Sequence, residues 1–266
     1  MDILGLGLPI TKTPYFQGGL PTPDSIGGDH LRYWFDATDS SYVISANIGK
    51  AVVIETLKNK SSVSPYDQHI AQAASGFTPV YKTDASGQNG LDYSQHNGGG
   101  QCYTISDSAG TGIAVDHGDE YTVYVVQDND APSGVSGIAG GRSPNAFAFR
   151  WSGSNLIQTV YDSSGTASDS INPTGSAEET FGVASFTVSN SNDEVSARFN
   201  GESNAPGVIS GAPVLASNAF FIGKSNNSSQ YYNGKIYEFM IFTKLLSEAQ
   251  LGQLDIYVQN KYNFSF

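Results

Sequence analysis

The chain has 266 residues, a formal charge of −12 and a single cysteine, Cys102. That acidic balance, with no Lys/Arg cluster anywhere, excludes a nucleic-acid partner, which needs a basic footprint to neutralise phosphates. One cysteine excludes an intrachain disulfide, and no apolar run approaches the roughly 18 residues that a membrane-inserted helix requires. Charged residues make up only 14% of the chain, a texture that suits a β-rich protein with many polar turns.

Residues 1–28 stand apart. Pro9, Pro14, Pro21 and Pro23, together with six glycines, argue against any helix there. Leu4, Leu6, Leu8 and Ile10 alternate with Gly5, Gly7 and Pro9. An extended chain would therefore carry its bulk on one side and almost nothing on the other. With Tyr15 and Phe16, this run reads as an arm that docks on a neighbour rather than building its own core. Asp2 replaces the basic start of a signal peptide, and Gly5, Gly7 and Pro9 interrupt its apolar stretch. Synthesis in a cytoplasm is the expectation.

Residues 29–266 are expected to form one domain. Residues 31–39 (LRYWFDATD) read as an aromatic strand and a polar turn. Short apolar pieces follow at 51–54, 78–81, 90–93 and 101–105, separated by Gly, Asn and Ser. Residues 121–126 (YTVYVV) are the strongest strand of the first half, and 128–143 read as a Gly/Asp/Ser-rich loop. Strands are expected at 145–151 and 155–161, a mobile polar loop at 162–180, and strands again at 181–188 and 194–199. Asn200-Gly201 is a hairpin signal, because a two-residue turn of this kind needs positive φ at both positions. Residues 235–243 are almost wholly apolar, as in a strand covered on both faces, with Glu238 interrupting the run. A helix follows: Ser247 and Gln250 have capping-box spacing, Leu246 and Leu251 have staple spacing, and Leu251, Leu254, Val258 and Tyr262 form a stripe. About a dozen short strands and one terminal helix point to an all-β antiparallel sandwich.

An ordered set of these segments carries a family resemblance. It includes 31–39, 77–81 (FTPVY), 90–93 (GLDY), 198–201 (RFNG), 221–223 (FIG), 233–242 (NGKIYEFMIF), 246–248 (LSE) and the Tyr257…Lys261-Tyr262 ending. The chain resembles the concanavalin A-like or laminin G-like lectin/glucanase jelly roll, in the version common among bacteriophage structural proteins. The resemblance implies two curved antiparallel sheets with a short C-terminal helix. It also implies a non-enzymatic virion protein made in the host cytoplasm: a capsid decoration or cement subunit held to other virion proteins through the arm and, by analogy, a homo-oligomer such as a trimer. The alternative reading is a carbohydrate-binding adhesin of a tail or fibre that recognises host glycans.

Candidate chemistry is sparse. Glycoside hydrolases on this fold align acid and nucleophile on one strand face, but Glu178-Glu179 and Asp193-Glu194 are adjacent pairs that a strand would point to opposite faces. Glu238 stands alone on its strand and reads as a hydrogen-bonded structural carboxylate. Catalytic residues are therefore not expected, and Cys102 reads as a buried, inert thiol. Relatives of the resembled family hold Ca²⁺ at the sandwich rim, which makes Asp128 and Asp130, around Asn129, the oxygen-rich candidates for a cation. For a glycan, the aromatic candidates are Trp151, before Ser152-Gly153, and the pair Tyr231 and Tyr232, before Asn233.

Overall fold

Residues 121–126 lie at the centre because their alternation is apolar on both sides. Val123 and Val125 join one buried layer, Tyr124 and Val126 another, and all four are fully buried. The computed structural model describes residues 19–48, 51–62, 70–73, 79–83, 89–92, 102–106, 120–129, 134–141, 147–162, 165–171, 180–189, 191–209, 220–225 and 230–266. The arm residues Leu4, Leu6, Leu8, Ile10, Tyr15 and Phe16 lie outside this set.

A short helix, α1 (Pro23–Gly27), precedes the strands β1 (Leu31–Asp36), β2 (Val43–Ile48), β3 (Ala51–Lys58), β4 (Ile70–Ala73), β5 (Val80–Thr83), β6 (Asn89–Asp92) and β7 (Tyr103–Ser106). The chain continues through β8 (Glu120–Asn129), β9 (Val135–Gly141), β10 (Phe147–Ser152), β11 (Asn155–Asp162), β12 (Gly165–Ile171) and β13 (Thr180–Ser189). It ends with β14 (Glu194–Phe199), β15 (Glu202–Ser203), β16 (Gly207–Val208), β17 (Phe220–Ile222), β18 (Gly234–Phe242) and the helix α2 (Glu248–Tyr262).

Antiparallel pairing runs β1–β18–β8–β13–β14 in one sheet, with β15 and β16 against β14. In the other sheet it runs β4–β7–β17–β9–β10–β11–β12. The strands β3, β5 and β6 join the two, through β4 on one side and β18 on the other. The core lies between the sheets, where Phe149 stacks on Phe186 at 4.4 Å and Trp151 meets Phe199 edge-on at 5.1 Å. This is the expected antiparallel sandwich with one C-terminal helix.

The outer face of the first sheet is covered by helix. Trp34, Tyr124, Val126, Val183, Tyr237, Met240 and Phe242 pack there with Ile26 of α1 and with Leu246, Leu251, Leu254, Val258 and Tyr262. The sequence stripe is thus the buried face of α2. Ser247 Oγ accepts from the Gln250 amide at 3.3 Å and Gln250 Oε1 accepts from the Ser247 amide at 3.1 Å, which completes the expected capping box. The Asn200-Gly201 turn also forms as expected, with φ of 47° and 84°.

Three segments differ from the sequence expectation. The arm was expected to run without helix to residue 28, yet α1 begins at Pro23. Proline at the first helical position loses no hydrogen bond, and Thr22 caps the turn. Gly27 is needed there because a Cβ would sit 2.6 Å from the Phe242 ring. Within the expected loop 128–143, residues Val135–Gly141 form β9. The glycine at 137 marks close backbone approach rather than a turn, since its Cβ would lie 2.2 Å from Ser225 N. Within the expected loop 162–180, β12 pairs along its length with β11. Its polar sequence suits a strand near the end of the sheet order.

Candidate functional site

A cleft of about 270 Å³ opens on the outer face of the first sheet, between β13, β14 and the start of α2. Strand alternation explains its chemistry. Ala184, Phe186 and Val188 point into the sandwich, as do Val195, Ala197 and Phe199. The intervening residues Ser185, Thr187, Glu194, Ser196 and Arg198 therefore line the outer surface. The chain entering α2 closes the far wall with Leu245, Leu246, Ser247, Glu248 and Leu251, and Ser203 and Pro206 form the end.

Two polar groups at its base are held in an unusual state. Ser185 is only 1% exposed, yet its Oγ makes no hydrogen bond. Arg198 is 8% exposed and donates through Nη1, at 3.2 Å, and through Nη2 to Asp255 of α2, while its Nε has no partner. Burial alone would lower the Arg198 pKa, but the hydrogen bond and charge of Asp255 outweigh it and raise it. Tyr124 donates to the same carboxylate at 2.9 Å, and burial, then the Asp255 charge, drives its hydroxyl far above the usual range. An uncommitted buried donor or acceptor costs about 1–3 kcal/mol unless something satisfies it. The cleft thus combines unmet hydrogen-bonding capacity, hydroxyls, carboxylates and an apolar wall. It is slightly smaller than typical ligand pockets, which span roughly 300–1,000 Å³.

A densely bonded polar cluster lies elsewhere, under the C-terminal end of α2. A β-bulge in β18 sets Ile236 against Gln127 and Glu238 against Val126, leaving Tyr237 as the extra residue. Both Tyr237 and Glu238 consequently face α2. Glu238 is fully buried and accepts from Trp34 Nε1 at 2.7 Å, Tyr262 OH at 2.8 Å, Lys261 Nζ at 2.9 Å and Tyr257 OH at 3.0 Å. Asp36 lies directly opposite on β1 and accepts from Lys261 Nζ at 2.7 Å and Lys60 Nζ at 2.9 Å. Burial, then the Asp36 charge, raises the Glu238 pKa. Burial would raise Asp36 too, but the charge and hydrogen bond of Lys261, with Thr38 and Lys60, carry it below its ordinary value. The cluster seats the helix on the sheet, and Glu238, with no exposure and with its bonds made to Trp34, Lys261 and Tyr262, acts there as a structural carboxylate.

The aromatic candidates do not form a sugar platform. Trp151 is fully buried, and alternation with Phe149 sends it into the core, which corrects the expectation of a glycan contact. Tyr232 is 2% exposed, and its hydroxyl donates to Gln127 Oε1 at 2.8 Å, so it too is a core residue. Tyr231 is half-buried, with the Lys224 ammonium 5.0 Å from its ring. Asp128 was expected in an oxygen-rich loop but lies in β8, where its carboxylate takes the Lys235 ammonium at 3.0 Å. It is therefore a poor fit as a Ca²⁺ ligand. Asp130 lies outside the described residues, and no group of metal-ligating side chains occurs among the described residues. Cys102 is buried, and burial raises its thiol pKa, which fits the inert thiol expected.

Ser185, Arg198 and Asp255 are absent from the sequence-derived candidates. Period-two alternation in 181–188 and 194–199 marks Ser185 and Arg198 as outward-facing, but nothing local announces that α2 begins beside them.

A laminin G-type family model, described as the concanavalin A-like lectin/glucanases superfamily, matches residues 97–252. The fold is similar to the botulinum neurotoxin serotype D binding domain, at TM-score 0.55 and 13% identity over 85% of this chain and 50% of that one. The serotype D ligand-binding domain in complex with N-acetylneuraminic acid gives TM-score 0.54 and 13% identity over 85% and 50%. The serotype G binding domain gives 0.54 and 13% over 86% and 51%. This chain spans about half the length of those domains, and the likeness is one of fold. Comparison with curated proteins gives no match.

Proposed function

The chain belongs to the concanavalin A-like lectin/glucanases superfamily, and on that premise we propose that it is a non-hydrolytic carbohydrate-binding domain whose sugar site is the cleft between β13, β14 and α2. The observation that carries this reading is the row of accessible hydroxyls of Thr187, Ser196 and Ser203 beside an apolar wall in one cleft. A sugar hydroxyl is both donor and acceptor and would pair with them, while Leu245, Leu246, Leu251 and Pro206 offer apolar surface to ring C–H groups. The similar neurotoxin domain bound to N-acetylneuraminic acid supports a saccharide as the class of ligand, not the charge that the saccharide carries. Against hydrolysis, Glu194 and Glu248 in the cleft are exposed, whereas a general acid on sugar chemistry needs a desolvated carboxyl. The buried Glu238 is sealed from solvent.

The setting we propose is a virion, with the domain carried by its N-terminal arm as a homo-oligomeric decoration subunit or as a tail or fibre adhesin. The phage-type resemblance and the one-sided alternation of Leu4, Leu6, Leu8 and Ile10 support that setting. The binding reading is tested with a glycan array and the Ser196→Trp variant, which fills the cleft from a half-buried position. Binding should fall at least tenfold while the thermal melt is retained. Array binding unchanged by that substitution would place the sugar elsewhere and refute the site.

A further inference from the structure

We infer that the cleft takes a neutral sugar and rejects carboxylated ones such as sialic and uronic acids. This rests on the cleft being the sugar site and narrows its ligand. Three observations carry it.

The first is the charge of the lining. Glu194 and Glu248 contribute two exposed carboxylates, and among the described residues the only cation that lines the cleft is Arg198. Arg198 is not a free cation: both terminal nitrogens of its guanidinium donate to the Asp255 carboxylate, whose charge offsets its own, so the lining keeps the negative charge of the two glutamates.

The second is the helix start. The N-terminus of a 15-residue helix ordinarily favours anions through its free amides and its dipole. Here the Ser247 and Gln250 side chains occupy each other's amides in the capping box, and Glu248 supplies negative charge in the first turn. The helix start therefore offers an acidic sugar less attraction than an uncapped one without an acidic first turn.

The third is the long-range field. At −12 the protein repels anionic ligands before contact, and the repulsion weakens as salt is added. The sialic acid seen with the similar neurotoxin domain therefore does not carry over to this cleft.

The test is a calorimetric titration of the full chain with lactose, cellobiose, maltose and N,N′-diacetylchitobiose, and in parallel with 3′-sialyllactose and glucuronic acid. At least one neutral sugar should bind ten or more times tighter than either acid. The paired change Glu194→Gln and Glu248→Gln should narrow that gap at least threefold by strengthening the acids. High salt should narrow it in the unaltered protein. Equal or tighter binding of an acidic sugar would overturn the inference and leave carbohydrate binding standing. A gap that ignores both the double substitution and salt would overturn the electrostatic cause. Absence of binding to every sugar in the panel would sink the binding reading and this inference together.

Discussion

Replacing Lys261 with Met removes the one cation among the described residues that touches both buried carboxylates under α2. Its ammonium lies 2.7 Å from Asp36 and 2.9 Å from Glu238, whose side chains have no exposure. Without it, like charges stand directly opposite on paired strands, a destabilising arrangement. Lys60 still reaches Asp36, but no other described lysine or arginine forms an ion pair with Glu238. Removing one partner from a buried ion pair costs about 3–5 kcal/mol. The Lys261 side chain is 24% exposed, so the lower end applies, about 3 kcal/mol. At about 2–4 °C per kcal/mol for a chain of this size, melting should fall by roughly 6–12 °C. Calorimetry or urea unfolding would measure it.

The loss should depend on pH, with a definite sign. Asp36 has a folded pKa below its ordinary 3.8, so it contributes stability above that pH and loses it as pH falls further. Glu238 has a folded pKa raised above 4.5, so its ionisation on raising the pH works against the fold, more so without Lys261. The gap between wild type and Lys261→Met should therefore be widest near pH 7 and close below about pH 4. A loss under about 1 kcal/mol at neutral pH, or a gap of equal size at pH 3.5 and 7, would refute the account of the cluster.

Trp151→Ala should cost about 3–5 kcal/mol in urea unfolding, because the side chain is fully buried against Phe199. Wild-type stability in that variant would contradict its place in the core. Deleting residues 1–18 should leave the melting temperature unchanged, since the Thr22 cap and Ile26 are retained, while incorporation into particles is lost. Normal incorporation of that truncation would remove the arm from the proposed setting.

The helix α2 was legible in the sequence because all its signals are local: cap, staple and stripe fall within 17 residues, from Leu246 to Tyr262. Strand β18 was legible for a similar reason, and Glu238 stood out as a carboxylate in an apolar run. Its partnership with Asp36 was not legible, because strand register joins residues 238 and 36 across most of the chain. The Trp151 expectation failed by weighting the polar neighbours Ser152 and Gly153 over the period-two pattern of Phe147, Phe149 and Trp151. Strand β9 was hidden because glycine reads as a turn residue, whereas at Gly137 it admits a neighbouring backbone. The cleft was out of reach for a different reason: it exists only where β13, β14 and the chain entering α2 converge in space.

The bulge in β18 also bears on how this strand can change length. Ile236 and Glu238 already occupy consecutive pairing positions, opposite Gln127 and Val126, so the alternation on either side of Tyr237 is that of an unbroken strand. Loss of residue 237 would keep Ile236 in the sandwich and Glu238 under the helix, sacrificing chiefly the tyrosine ring and its packing on Phe181 and Tyr262. Loss of Met240, two pairs further on, would force one half of the strand to exchange its faces. Position 237 is thus where β18 can lose a residue while every flanking residue keeps its face.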